Sequence, residues 1–150
     1  MITIRPAAEA DASALRLIAV AAYQQYVPRI GRPPAPMTAD YAGAARRGQA
    51  WLADEDGQAA GFVILIPQPG YLLLENVAVL PAAQGRGIGA RLLALAEERA
   101  RSLGLPEIRL YTNEAMTENL AYYPRHGYTQ THRARQDGFD RVFFRKQLGA

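Results

Sequence analysis

The chain contains no cysteine, and Lys146 is its only lysine against sixteen arginines. Without a thiol there can be no disulfide, no thiolate-held metal, no iron–sulfur cluster and no cysteine-linked acyl intermediate. One lysine close to the C-terminus leaves no candidate for a P-loop lysine, a pyridoxal Schiff base or a lysine nucleophile. Serine occurs only as Ser13 and Ser102, neither in a Gly-x-Ser-x-Gly elbow, which argues against a serine hydrolase. His126 and His132 have no third ligand patterned around them, so no metal site is expected. Long apolar runs are missing too. The stretch Leu15–Ala22 is broken by Arg16 and preceded by Glu9 and Asp11, unlike a signal peptide. Nothing approaches the ~18 apolar residues that a membrane span needs. The expectation is a soluble cytoplasmic protein with no membrane partner.

What is present suits one packed domain over residues 1–150, with 49% hydrophobic and 21% charged residues. The net charge of +3 is unevenly distributed. Residues 1–80 carry six arginines and seven acids, a net −1; residues 81–150 carry eleven basic residues and seven acids, a net +4. With no basic run, this imbalance points to a local anionic ligand and away from nucleic acid.

Ile2-Thr3-Ile4 alternates as a first strand, and Asp11 is placed to cap a helix with Leu15, Ile18, Ala19, Ala22 and Tyr26 on its apolar face. That helix should yield near Pro28 to a loop stiffened by Pro28, Pro33, Pro34 and Pro36. A short helix is expected from Thr38 to Arg46. Ala50–Ala53 and Ala59–Ile66 read as strands around Asp54-Glu55-Asp56-Gly57, and Tyr71–Leu80 as a central strand covered on both faces. Ile88–Leu103 is helical, with Ile88, Leu92, Leu95, Ala96, Ala100 and Leu103 on one face. A strand over Glu107–Thr112, a helix over Met116–Tyr123 and a hairpin of Tyr128–Arg135 with Phe139–Lys146 complete the chain. This order is an α/β domain with a mixed sheet of about seven strands and about four helices. The unit from Tyr71 to Thr112 forms a right-handed parallel crossover.

The most informative segment joins the central strand to the long helix: Val77-Ala78-Val79-Leu80-Pro81-Ala82-Ala83-Gln84-Gly85-Arg86-Gly87-Ile88-Gly89-Ala90. Glycines there let a ligand approach the backbone, and the unpaired amides at a helix start attract an anion, with Arg86 adding charge. A Walker A loop is excluded because no lysine follows. Gly85-x-Gly87-x-x-Ala90 fits the loose dinucleotide fingerprint, but the sixty residues that remain are too few for a Rossmann half. Gln84-x-x-Gly87-x-Gly89 instead resembles the acetyl-CoA motif of the GNAT superfamily of N-acetyltransferases. Tyr123-Pro124-Arg125-His126-Gly127-Tyr128 resembles that family's second signature, Tyr-x-x-x-Gly-aromatic. The likeness extends over essentially the whole chain.

The resemblance implies acetyl-CoA as cofactor, released as coenzyme A. It would be held by Val77, Ala78 and Val79 of the strand and by Gln84, Gly85, Arg86, Gly87, Ile88, Gly89 and Ala90. Pantetheine would lie along Val77 and Val79, with the Val77 amide facing the thioester oxygen. Tyr123 would be the general acid, a phenol able to protonate a thiolate, with neighbouring Tyr122 the competing assignment. Glu75 is the sole charge within Tyr71–Leu80, on the face of Leu73, Val77 and Val79 by alternation. It is the candidate base, directly or through water, a structural ion pair being the other reading. Asn119 matches a cofactor-contacting asparagine in similar proteins, although many relatives place it where this chain has Met116; Asn113 is a weaker contender. Tyr23, Tyr26, Arg29, Met37 and Tyr41 are the candidates for the acceptor, a small-molecule or protein amine. With no cysteine, direct transfer in a ternary complex is the simplest route. The alternative is a CoA-binding module without activity, and the terminal hairpin offers an edge for a homodimer.

Overall fold

The structure, a computed structural model, describes residues 1–149. Seven strands lie in one mixed sheet in the order β1-β2-β3-β4-β5-β7-β6. They are β1 (Ile2–Pro6), β2 (Ala50–Glu55), β3 (Gln58–Gln68), β4 (Tyr71–Val79), β5 (Glu107–Asn113), β6 (Thr129–Gln136) and β7 (Phe139–Gln147). The helices are α1 (Ala12–Tyr23), the single turn α2 (Val27–Ile30), α3 (Tyr41–Arg46), α4 (Ile88–Ser102) and α5 (Thr117–Arg125). The expected α/β class and seven-strand mixed sheet are both present. The chain forms two compact units: Met1–Leu65 with Asn76–Leu95, and Ile66–Glu75 with the chain from Ala96 onward.

In the first unit β1, β2 and β3 are antiparallel neighbours. Asp56 (φ 51°) and Gly57 (φ 83°) form a two-residue turn closed by Glu55 and Gln58, so the hairpin is tighter than the four-residue loop expected. Successive left-handed residues match the strand twist there, and Asp-Gly is suited to both positions. Asp11 does not cap α1 with its side chain. It accepts instead from the Ala8 amide at 2.7 Å and from Arg5 Nη1 at 2.8 Å. Nor does the chain leave helix at Pro28. A 3₁₀ turn over Gln24–Tyr26 leads into α2, which holds Pro28 in its first turn and stops at Gly31 (φ 89°). Proline is tolerated there because its missing N–H would have had no helical partner. α3 starts at Tyr41, later than expected, because Asp40 caps it, accepting from the Gly43 amide at 3.0 Å. Leu15, Ile18, Ala19, Ala22, Tyr41, Leu52, Phe62, Ile88 and Leu92 make this unit's core.

In the second unit the parallel ladder of β4 with β5 pairs Leu72 with Ile108 and Leu73 with Arg109. β5 pairs with β7 along its whole length, from Glu107–Gln147 to Asn113–Arg141. Ala96, Ala100, Ile108, Leu110, Val142 and Phe144 are all buried and make this unit's core. Leu103 is a correction: it lies beyond α4 and is 43% exposed. β6 ends the sheet with all eight residues exposed, and Arg133 and Arg135 lie on it. Charged side chains of this kind discourage edge pairing.

β4 occupies the middle of the sheet as expected, yet it is not sealed on both faces. Leu72, Leu74, Asn76 and Ala78 are buried while Tyr71, Leu73, Glu75, Val77 and Val79 are half-buried. Alternation, not a continuous apolar run, therefore describes it. Among the described residues no helix is long and apolar enough to cross a membrane, and no three His, Asp or Glu side chains group as a metal would need.

Candidate active site

The segment from β4 to α4 turns through Gly85 (φ 83°) and Gly87 (φ 86°), conformations that favour glycine over any L side chain. A Cβ at either position would meet nothing within 4 Å, so open space borders the loop. The Gly87 carbonyl accepts from the Arg91 amide at 3.1 Å, which makes Ile88, Gly89 and Ala90 the first turn of a fifteen-residue helix. Their N–H groups have no intrahelical acceptor, and no acid occupies that turn. Amides, dipole and room together suit a phosphate or pyrophosphate. Ile88 and Ala78 are 1% and 5% exposed, so their side chains serve the core and only their backbones can serve a ligand. Arg86 is exposed, and its Nη1 donates to Glu55, so its charge is shared with a carboxylate.

Gln84 folds back: its Nε2 donates to the Val79 carbonyl at 3.2 Å. Leu80 N–H donates to the Ala60 carbonyl of β3 at 2.8 Å. By antiparallel alternation Val77 and Val79 then turn their backbone groups away from β3, and with the Val79 carbonyl already taken by Gln84 it is their N–H groups that are left for an extended ligand. The Val77 carbonyl is met by the Tyr23 hydroxyl at 2.9 Å.

That hydroxyl belongs to a buried network that sequence reasoning missed. Tyr23 donates to Asn76 Oδ1 at 2.7 Å, Asn76 Nδ2 donates to the Tyr41 hydroxyl at 2.9 Å, and Tyr41 donates to the Pro36 carbonyl. Asn76 is 6% exposed. The available signal was a second polar residue inside an apolar strand, which alternation sends to the face opposite Glu75. Of the acceptor candidates, Tyr41 is fully buried, its ring 5.3 Å from that of Phe62, and Tyr23 and Tyr26 are buried with rings 6.3 Å apart. Arg29 is exposed with its guanidinium 5.1 Å from the centre of the Tyr26 ring, and Met37 is half-buried.

In the second unit Tyr123 is buried on α5, its ring 5.7 Å from Tyr128 and 5.8 Å from Phe144. The local reason is the motif itself. Gly127 (φ 89°) ends the helix, and the Tyr123 carbonyl accepts from the amides of His126 at 2.9 Å and Tyr128 at 3.1 Å. This turn folds the aromatic after glycine back onto the tyrosine. Tyr122 is half-buried, its ring 5.5 Å from that of Tyr123 and 4.4 Å from that of His126, and burial pushes its phenol up. Glu75 is half-buried on β4. Asn119 Nδ2 donates to Thr112 Oγ1 at 3.0 Å, and Asn113 Oδ1 accepts from the Ala115 amide at 2.9 Å in the turn before α5.

A second feature missed from sequence is Arg141 on β7, 6% exposed, with its guanidinium 4.3 Å from the centre of the Tyr111 ring. Nothing in the pattern of β7 distinguishes it from the exposed Arg145 two turns of alternation away.

Known proteins are similar to this chain in sequence and in fold. The sequence profile of the Acetyltransferase (GNAT) family matches residues 15–128. An aminoalkylphosphonate N-acetyltransferase of Salmonella typhimurium is 41% identical over 59 residues, 39% of this chain and 38% of that protein. A mycothiol acetyltransferase of Jonesia denitrificans is 36% identical over 81 residues, 53% of this chain and 26% of the relative. The chain thus spans less than half the length of either. In fold it is similar to the PaiA N-acetyltransferase from Thermoplasma acidophilum, solved in complex with coenzyme A. The TM-score is 0.82 at 21% identity over 99% of both chains. The ribosomal-protein-S18-alanine N-acetyltransferase from Escherichia coli gives 0.77 at 21% identity, over 100% of this chain and 96% of that one. The profile match contains both β4 with its glycine turn and the Tyr123–Tyr128 signature, and the chain belongs to the GNAT acetyltransferase family.

Proposed function

We propose that the protein transfers an acetyl group from acetyl-CoA directly to a primary amine in a ternary complex. The observation that carries this reading is the open turn from Gly85 to Ala90, with its unpaired helix amides and two left-handed glycines. The pyrophosphate would be held by the backbone of Gly85, Arg86, Gly87, Ile88, Gly89 and Ala90, with Gln84 fixing the turn. Pantetheine would run along Val77, Ala78 and Val79. Acetyl-CoA, when bound, supplies an activated thioester carbonyl. The protein's own part is to manage two protons. An ammonium must lose one before its nitrogen can attack, and Glu75, half-buried on β4, is the base, directly or through water. The departing sulfur must gain one, and Tyr123 is the acid, its phenolic O–H the proton donor. Asn119 would contact the cofactor from α5.

The acceptor is a small molecule or a protein amine. The Salmonella typhimurium relative is named for an aminoalkylphosphonate and the Escherichia coli neighbour for a ribosomal-protein alanine, so both classes have precedent in the fold. Tyr23, Tyr26, Arg29, Met37 and Tyr41 remain the residues proposed for this side. The setting is the cytoplasm, with neither membrane nor nucleic acid as partner, and a homodimer through the terminal hairpin would have to pair across the charged edge that Arg133 and Arg135 give β6.

The test is a thermal-shift comparison with acetyl-CoA, NAD and ATP, followed by an amine panel read as free CoA thiol. A chain without cysteine gives that assay no background. Stabilisation by acetyl-CoA and thiol release with an amine are expected. Stabilisation by NAD alone would overturn the reading. Acetyl-CoA binding with no transfer would leave a CoA-binding module.

A further inference from the structure

Arg141 is a charged side chain almost fully withdrawn from water, 7% exposed, on a strand whose other arginine, Arg145, is exposed. Burying a guanidinium is costly unless its charge and its N–H groups are met. Its partners meet only part of it. Nη1 donates to Gln136 Oε1 at 2.7 Å and to Asp137 Oδ2 at 3.3 Å. Among the described residues Asp137 is the one carboxylate bonded to it, and that side chain is 78% exposed at the tip of the β6–β7 turn. Nε and Nη2, with three N–H donors between them, have no acceptor among the described residues, and neither is sealed from solvent. The plane of the guanidinium is held by rings, Tyr111 at 4.3 Å and Phe139 at 5.5 Å. A rigid fork with one edge unused matches a carboxylate or phosphonate, which accepts two parallel N–H bonds.

The neighbourhood bears on the chemistry as well. Burial pushes the Tyr111 phenol up, Arg141 acts against that, and Glu75 reinforces it. Tyr111 is therefore within electrostatic reach of both the proposed base and the buried cation. An amine deprotonated at Glu75 and an anion held at Arg141 would be two ends of one molecule.

We propose that Arg141 anchors an oxyanion on the acceptor, so that the substrate class is a small primary amine bearing a carboxylate or a phosphonate. This rests on the acetyltransferase reading above. The structural alternative is that Arg141 only staples the hairpin through Gln136 and Asp137.

The experiment compares kcat/KM for 3-aminopropanoate, 3-aminopropylphosphonate and uncharged propylamine in wild type, R141Q and R141K. Wild type should favour at least one charged amine over propylamine by ~10- to 100-fold, the effect of a hydrogen-bonded charge. R141Q should bring that ratio close to one. R141K should fall between, keeping charge without the fork; it also carries the test if R141Q fails to fold. A wild-type ratio near one, or a ratio unchanged in both variants, overturns the anchor and leaves the staple. If no amine releases CoA, the acetyltransferase reading fails, and calorimetric titration with 3-aminopropanoate decides the anchor by itself. Binding heat lost in R141Q supports it, and no heat in wild type overturns it.

Discussion

The Tyr23 hydroxyl lies 2.7 Å from Asn76 Oδ1 and 2.9 Å from the Val77 carbonyl, so one proton serves two acceptors on consecutive residues of β4. Asn76 also donates to Tyr41 at 2.9 Å, which ties α1 and α3 to the strand that would carry pantetheine. Asn76→Ala removes both a donor and an acceptor from a buried network and should cost about 2 kcal/mol in urea unfolding. Tyr23→Phe should cost about 1 kcal/mol, because only one hydroxyl goes. The two effects should be non-additive in a double-mutant cycle, since the residues share a bond. Strict additivity would mean that the hydrogen bond contributes nothing.

Arg86 and Glu55 form an exposed ion pair beside the glycine turn. Such pairs contribute roughly 0–1 kcal/mol, so Glu55→Gln should leave stability nearly unchanged. It frees the Arg86 charge for an anion at the turn, and the KM for acetyl-CoA should fall a few-fold, more at low salt than at high. A KM that rises would place Arg86 outside cofactor binding.

Gly87 holds a φ of 86° with open space around it. Gly87→Ala should cost about 1 kcal/mol through backbone strain alone. Gly87→Val should cost more and raise the KM for acetyl-CoA, because a branched side chain would fill the space beside the amides. Circular-dichroism melts and acetyl-CoA titrations separate the two effects. Equal acetyl-CoA affinity in wild type and Gly87→Val would remove the turn from the cofactor site.

Tyr123→Phe should lower kcat while sparing the KM for acetyl-CoA, since the ring packing is kept and only the proton donor is lost. Glu75→Gln should flatten the acid limb of the pH–rate profile. An acid limb identical to wild type would take Glu75 out of the mechanism, and an unaltered kcat would do the same for Tyr123.

Tyr128 is 4% exposed, and its hydroxyl has no hydrogen-bond partner among the described residues. Burial pushes its phenol far up, with Tyr123 and Glu97 adding to the effect. A phenol raised in the fold favours folding fully below its unfolded value near 10, and that contribution disappears as pH rises above it. Stability should therefore decline above pH ~10, and less so in Tyr128→Phe. At neutral pH the same variant should be neutral or more stable by about 1 kcal/mol, because an unsatisfied hydroxyl is removed. A loss of stability there would reveal a partner for the hydroxyl.

Local chemistry made much of this protein legible from its residues in order. Asp56-Gly57 and Asp137-Gly138 announce hairpins because both positions need left-handed backbone, and both pairs adopt it. The glycines after β4 announce a left-handed turn for the same reason, and the period of Leu92, Ala96 and Ala100 announces α4. The central place of β4 followed from its apolar content, although its second face is only half-covered. Where the reading slipped, a neighbour in space had competed with one in sequence. Asp11 turned to Arg5 and the Ala8 amide and left α1 without its side-chain cap, and α2 carried the helix past a proline seated in its first turn.

By itself the sequence determined the order of elements, the strand–glycine–helix turn, the Tyr123–Gly127–Tyr128 closure and the absence of thiol chemistry. The first three depend on backbone preferences within a few residues, the last on composition alone. Only the tertiary structure decided that Asn76 links Tyr23 to Tyr41, that Arg86 shares its charge with Glu55, and that Arg141 is buried against Tyr111 while Arg145 is not. Those partners lie tens of residues apart in the chain. A hydrogen bond or a buried charge is fixed by what the fold brings within about 3 Å, which no local spacing encodes.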